Sequence, residues 1–327
     1  MRDIDHSRRP ARLVALMAGV TLLLGACNGG GSRKSAVTTT GNQATTTRAA
    51  PRPVDWTAVD AALGRPGDVM AGDVHRYGFA RSDLKVTLDG VALKPGFALG
   101  SYAAFVAAGT ETVVMGDLVL SEPEVSPVMA KLQEHGFDVS AVHNHLLREQ
   151  PKIMYMHYMG HGPDAVALAR GLRSSLEASA TPLGTPAPPV DSDLGFDPAA
   201  LDGILGRTGK PGGGLDKYSI PRAEAVKIHM GEQDVALTPA LGVGTVINFQ
   251  PLGGGKAAIT GDFALLGPEV AGVAATLRSK GIEVTAIHTH MTNDQPNLYY
   301  MHFFANAPAA DLARGLRSAL DRTNSAK

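Results

Sequence analysis

The chain has 327 residues, 44% of them apolar, and a formal net charge of −1. That length suits one large or two ordinary domains behind a leader, and the near-neutral balance excludes a general polyanion binder. Aromatics make up 5% of residues and no Lys/Arg run is interleaved with them, so nucleic acid is not indicated as a partner.

Arg8, Arg9 and Arg12 precede an apolar run, Leu13 to Leu24, which is too short to cross a bilayer comfortably. The run ends Leu24-Gly25-Ala26-Cys27, the pattern of a lipobox, where an exported chain is cut before a cysteine that carries lipid. Residues 1–27 therefore read as an export signal and Cys27 as the lipidation site; an ordinary signal peptide with an incidental cysteine is the alternative. Acyl chains on Cys27 would hold the protein on the extracytoplasmic face of the membrane, each buried CH2 contributing about 0.8 kcal/mol. Cys27 is the only cysteine, so no intramolecular disulfide and no Cys-based metal site is expected. Residues 28–53, rich in Gly, Ser, Thr and Pro, cannot bury a core and read as a disordered tether.

Next comes a helix over Trp56 to Leu63. Short strands are expected over Lys85 to Leu88, Ser101 to Ala107 and Thr112 to Leu120, with turns at Asp89-Gly90 and Ala108-Gly109. Glu124 to His135 has helical periodicity and stops at Gly136, a C-cap. Asp138 to His145 alternates as a strand, Lys152 to Met159 is a second, and Pro163 opens the last helix.

The same order then returns. Gly136 to His145 (GFDVSAVHNH) reappears as Gly281 to His290 (GIEVTAIHTH), Gln150-Pro151 as Gln295-Pro296, and Tyr155-Met156-His157 as Tyr300-Met301-His302. Met115-Gly116-Asp117 matches Thr260-Gly261-Asp262, and Leu63-Gly64 and Tyr77 match Leu205-Gly206 and Tyr218. Helices are expected at Pro198 to Leu205, at Glu269 to Lys280 and from Pro308. The repeats span residues 54–179 and 195–323, joined by a Pro-rich linker at 180–194. The expected class is α+β, each repeat a mainly antiparallel sheet with packed helices, arranged as a pseudo-twofold pair. The strand–helix–strand passage leaves room for some parallel pairing.

Chemistry is concentrated in the histidines. His143 and His145 lie two apart on a strand, so their rings share a face. If the following hairpin sets Ala141 opposite His157, the third ring joins them; the sequence does not fix that register. His288, His290 and His302 repeat the arrangement. Three imidazoles with an open fourth position suit Zn2+, Cu2+ or Ni2+, against the alternative of strand histidines bonded to backbone. Asp117 and Asp262 read as solvent-facing or turn-bonded, with orientation of a ring as the alternative. Glu149 and Asp294 read as solvated loop carboxylates, and are the candidates for a catalytic base beside a metal. Gln150 and Gln295 read as turn caps. Met154, Met156, Met159 and Met301 read as core rather than Cu(I) ligands. His161 has no histidine counterpart. The Arg170/Arg173 and Arg314/Arg317 pairs read as solvated helix faces. Neither a Walker loop nor a nucleophile elbow nor an H-E-x-x-H helix is present.

With the H-N-H and H-T-H segments, each followed by Gln-Pro and Tyr-Met-His, the chain resembles the LppY/LpqO family of bacterial lipoproteins, built on the domain of unknown function DUF1259. The resemblance covers both repeats and agrees with the lipobox. It implies an envelope location and a duplicated domain, and no particular reaction. Three functions fit the residues: a lipoprotein binding Zn2+ or Cu2+ through duplicated three-histidine sites, a metal-dependent hydrolase or lyase of the cell envelope, and a metal-free structural or interaction lipoprotein with an envelope ligand or protein partner.

Overall fold

A computed structural model describes residues 53–184, 193–231 and 233–326. The export signal, Cys27, the tether and most of the Pro-rich linker lie outside the described residues. In chain order the first repeat comprises α1 (Trp56–Leu63), β1 (Asp68–Met70), β2 (Val74–Ala80), β3 (Thr87–Leu88), β4 (Val91–Ala92), α2 (Pro95–Ala98), β5 (Gly100–Ala108), β6 (Glu111–Ser121), α3 (Glu122–Glu134), β7 (Asp138–His143), β8 (Ile153–Gly162) and α4 (Ala165–Leu176). The second comprises α5 (Pro198–Leu205), β9 (Lys210–Gly212), β10 (Leu215–Ile220), β11 (Val226–Met230), β12 (Gln233–Leu237), a 3-10 turn (Pro239–Leu241), β13 (Thr245–Gly253), β14 (Lys256–Leu266), α6 (Gly267–Ser279), β15 (Glu283–His288), β16 (Asp294–Gln295), β17 (Leu298–Pro308) and α7 (Ala309–Leu320).

Local chemistry sets these elements. Asp55 caps α1 by accepting the Ala58 amide, and Gly64 ends it in the left-handed region at φ 74°. Asp197 and Gly206 do the same for α5. The Glu124 carboxylate accepts the Ser121 amide at the start of α3, and Glu269 accepts that of Leu266 at the start of α6. Asp164, not Pro163, caps α4, while Pro308 stands at the N-cap of α7.

Each repeat forms a six-stranded sheet, ordered β1-β2-β5-β6-β8-β7 and β15-β17-β14-β13-β10-β9. Every pair within these sheets is antiparallel, so the parallel pairing left open by the sequence does not occur. α3 leads from β6 to β7, which lies beyond β8, so the crossover returns to an edge position antiparallel to its neighbour.

Both faces of the central strands are buried. On β6, Val114, Leu118 and Leu120 pack under the helices with Leu132 and Leu172, whereas Val113, Met115 and Val119 face the other repeat. Met156 and Tyr158 of β8 take the helix side; Tyr155 and Met159 take the other. β14 and β17 divide in the same way, Ile259, Phe263, Met301 and Phe303 packing under α5, α6 and α7. The result is four layers, helices–sheet–sheet–helices, with the two sheets face to face.

Each repeat also lends an arm to the other sheet. β3, β4 and α2 place Leu88, Leu93 and Phe97 against Leu215, Ala258 and Phe304. β11, β12 and the 3-10 turn place Ile228, Val235 and Leu241 against Val74, Ala104 and Met115. Gln250 accepts the Lys94 amide at 2.8 Å, and Arg76 donates to the Ala240 carbonyl at 2.8 Å. A duplicated ionic knot ties strand to helix: buried Arg81 holds Asp83, Glu124 and the Val119 carbonyl, and Arg222 holds Glu224, Glu269 and the Ala264 carbonyl. Nothing in the spacing of these residues announces it.

The Met156, Met159 and Met301 side chains are core, as expected. Arg173 and Arg317 are more than solvated: each donates to the last carbonyls of a neighbouring helix, Leu63 and Leu205, at 3.0 and 2.9 Å. No helix among the described residues is long and apolar enough to cross a membrane.

Candidate metal centre

The inward faces of the two sheets meet at the histidines. β7 pairs with β8 so that Ala141 lies opposite His157, and β15 with β17 so that Ala286 lies opposite His302. That register brings His143 beside His157. β7 and β15 end at His143 and His288, so His145 and His290 stand in the following loops and not on the strands. Alternation therefore does not align them; the loops do.

A β-bulge precedes each pair, between Val139 and Ala141 and between Val284 and Ala286. The extra residue in each bulge is Ser140 or Thr285. Ser140 donates to the His290 carbonyl and Thr285 to the His145 carbonyl. Asn144 adds a bond to the Thr285 carbonyl at 3.1 Å. Each repeat thus fixes the histidine loop of the other.

The six rings form one centre, not two. His143 stacks on His288 with centroids 3.6 Å apart, His145 on His302 at 3.8 Å, and His157 contacts His290 at 4.0 Å. Tyr155 lies flat against His145 and Tyr300 against His290, both at 3.3 Å. These tyrosines were legible only as part of the Tyr-Met-His triplet; lying two residues before His157 and His302, they share the inward face.

Asp117 and Asp262 sit opposite His157 and His302 on neighbouring strands. Asp117 is buried and Asp262 half-buried at the centre, which overturns the solvent-facing reading. Asp117 Oδ2 is 3.6 Å from His145 Nε2, and Asp262 Oδ2 is 3.7 Å from His290 Nε2. The glycine before each aspartate lets the strands close. A Cβ at Gly116 would lie 2.0 Å from the Tyr102 carbonyl oxygen, and one at Gly261 would lie 1.9 Å from that of Val246.

Hydrogen bonding fixes the tautomers. His143 Nδ1 faces the Asn144 carbonyl at 2.9 Å and His288 Nδ1 that of Thr289 at 3.2 Å. His302 Nδ1 faces the Gly261 carbonyl at 2.9 Å, and His157 bonds the Gly116 backbone. A carbonyl only accepts, so each of these Nδ1 atoms carries the proton and each neutral ring turns a lone pair out from Nε2. Yet Nε2 of His143 lies 2.9 Å from Nε2 of His157, and that of His288 lies 2.8 Å from that of His302. Two lone pairs at that distance repel unless a cation sits against them.

A shared proton is the weaker solution, because burial opposes imidazolium. It lowers His143 to about 4 and His288 to about 3, and pushes His145, His157, His290 and His302 well below the usual range, with neighbouring rings adding to the effect. Neutral rings are the form that ligates metal. Burial, then Asp262, raises Asp117 well above the ordinary carboxylate range; burial raises Asp262 to about 7.

The donor set fits an ion. Ligands about 2.0–2.1 Å from one ion stand roughly 3 Å apart, close to the spacings of the paired Nε2 atoms. Asp117 Oδ1, His145 Nε2 and His290 Nε2 are buried with no hydrogen-bond partner. Three trios have all their ligand atoms within 4.8 Å: His143, His145 and His302; His143, His157 and His288; and Asp117, His145 and His157. Any two of them share a histidine, so they are alternative positions in one centre.

Glu149 and Asp294 are held elsewhere. Both are buried, not solvated. Glu149 accepts the Ile153 amide at 3.4 Å, and Asp294 the Leu298 amide at 2.8 Å and the Asn297 side chain at 2.9 Å. They brace the loops that carry the histidines. The backbone of Gln150 bridges to Thr87, and Gln295 pairs with Lys227, so both bind the arms while their side chains stay exposed. His161 pairs with Glu111 at 3.0 Å, away from the centre.

A cavity of about 450 Å³ opens onto the centre between the sheets. Asp117, Asp262, His145, His157, His290 and His302 line one part of it, and Arg76, Tyr102, Lys217 and Asn248 another.

No curated protein matches this sequence. Among solved structures, the trimeric bacterial microcompartment shell protein PduB matches at 12% identity over 78% of this chain and 90% of that chain; its TM-score of 0.19 carries no argument about the fold. The family model described as Domain of Unknown Function (DUF1259) matches residues 57–178 and again 199–322. The chain belongs to that family and carries two tandem copies of its domain, whose facing sheets together build the histidine centre.

Proposed function

We propose that this chain is an exported lipoprotein of the LppY/LpqO type, anchored through lipid on Cys27, that binds a divalent transition metal, Zn2+ or Cu2+, in the inter-sheet histidine centre. One observation carries the metal reading: paired Nε2 atoms 2.8–2.9 Å apart, on rings whose Nδ1 atoms face backbone carbonyls. The imidazole-rich donor set with a carboxylate suits such an ion better than Mg2+ or Ca2+. The lipobox and the Gly/Ser/Thr tether support the location.

Metal-dependent hydrolysis or lysis is the second reading, favoured by the cavity that reaches the centre. A bound ion there supplies Lewis acidity. Asp117 and Asp262, both raised by burial, are better placed than Glu149 and Asp294 to move a proton at a ligand in that cavity.

Elemental mass spectrometry of the untagged full chain in detergent tests the first reading. Near-stoichiometric Zn or Cu is expected, lost in a His143→Ala/His288→Ala variant. A metal-free protein that also takes up no added Zn2+, Cu2+ or Ni2+ overturns it.

A further inference from the structure

The cavity is built on a pseudo-twofold plan but finished differently on its two sides. Arg76 on β2 and Lys217 on β10 precede the equivalent Tyr77 and Tyr218, and both point between the sheets. Arg76 is occupied: it donates to the Ala240 carbonyl and lies over the Tyr102 ring at 3.7 Å. Tyr102 stands opposite Asp117 where the second repeat has Val246 opposite Asp262. The Tyr102 hydroxyl fills the space beside Gly242, where a Cβ would lie 2.0 Å from it.

Lys217 has no such partner. It is half-buried, yet its ammonium makes no hydrogen bond or ion pair among the described residues, and burial lowers its pKa. Over it lies Gly96, where a Cβ would come within 3.3 Å of Nζ, so the missing side chain leaves the ammonium room. An ammonium partly withdrawn from water without a counter-charge is costly, and the cavity beside it is of ligand size.

We propose that this cavity binds a small monocarboxylate that carries a neutral oxygen, its carboxylate on Lys217 and its hydroxyl or carbonyl directed to the histidine–aspartate centre. Single negative charge follows from the wall: of its two cations Arg76 is held by the Ala240 carbonyl and the Tyr102 ring, which leaves Lys217 to face a space that also holds Asp117 and Asp262. A phosphate dianion or a dicarboxylate would place surplus charge against those carboxylates. The neutral oxygen follows from the far end, where His145 and His290 present unpartnered Nε2 atoms. The placement of that end rests on the metal reading above; the Lys217 anchor does not.

The test is calorimetric titration of the full chain in detergent with ω-hydroxycarboxylates of increasing length, from glycolate to 6-hydroxyhexanoate, with inorganic phosphate alongside and metal content measured on the same samples. One chain length is expected to bind best, at one per protein. Lys217→Met, which keeps volume, should weaken it about tenfold or more, as loss of a charge-assisted hydrogen bond does. Lys217→Arg should retain most of the affinity. No binding across the series, equal binding by Lys217→Met, or preference for phosphate overturns the proposal. Metal present without carboxylate binding sinks this inference alone. Lys217-dependent binding to a metal-free chain sinks the metal reading and leaves the carboxylate anchor standing.

Discussion

At the centre the two repeats are interchangeable; at the cavity wall they are not. His143, His145, His157 and Asp117 have counterparts in His288, His290, His302 and Asp262, and the contacts repeat to within a few tenths of an ångström. The bulge hydroxyls of Ser140 and Thr285 clamp each loop to the opposite repeat and hold the copies in register. At the wall, Arg76 and Tyr102 close one side while Lys217 and Val246 leave the other open. A centre made jointly by two copies must stay symmetric to keep its donors in reach. The wall has no such constraint, and there the copies can differ.

Removing one histidine should break the comparison most sharply. If each repeat held its own ion, His143→Ala alone would leave half the metal. Because His143 belongs to two of the three close donor trios and stacks on His288, the single variant should lose most of it. Elemental analysis that returns half occupancy would mean two independent sites. The ionic knots provide the control for equivalence. Arg81 and Arg222 are buried at 1% and 2% side-chain exposure and each holds two carboxylates and one carbonyl. Substituting either by Met strands those carboxylates and should cost about 3 kcal/mol in denaturant unfolding. Costs that differ widely would show that the repeats carry unequal shares of the stability.

Much of the fold was legible because local signals agreed with the tertiary result. α1 and α5 were bounded by an Asp cap and a left-handed Gly, and the hairpin register Ala141–His157 was the one the histidines required. The histidines themselves were legible as ligand types at strand spacing. Their merger into one centre was not, since each repeat's sequence is silent on which face meets which. Asp117 and Asp262, after glycine on a strand, read as solvent-facing or turn-bonded, whereas those glycines let the strands approach and bring the carboxylates to the rings. Glu149 and Asp294, polar residues in loops, looked solvated; unbonded amides of Ile153 and Leu298 draw them inward. Lys217 carried no local signal, because its meaning comes from Gly96 of the other repeat's arm.

Acid should sharpen the picture of the centre through opposing titrations. The histidines are lowered in the fold, His143 to about 4 and His288 to about 3, so between those values and about 6.5 the unfolded chain binds more protons and stability falls as pH falls. Asp262, raised to about 7, has the opposite sign: from about 7 down to about 3.8 the folded chain binds the extra proton and gains stability on acidification. Six lowered rings oppose two raised carboxylates, Asp117 and Asp262. The metal-free protein should therefore lose stability between about pH 6.5 and 4.5, the two carboxylates offsetting part of what the rings take away. The measurement is the denaturant midpoint of chelator-treated protein at half-unit steps of pH. In the His143→Ala/His288→Ala variant the slope should flatten. A midpoint that rises on acidification would mean that the two carboxylates outweigh the rings, and that the centre keeps its charge balance with protons on Asp117 and Asp262.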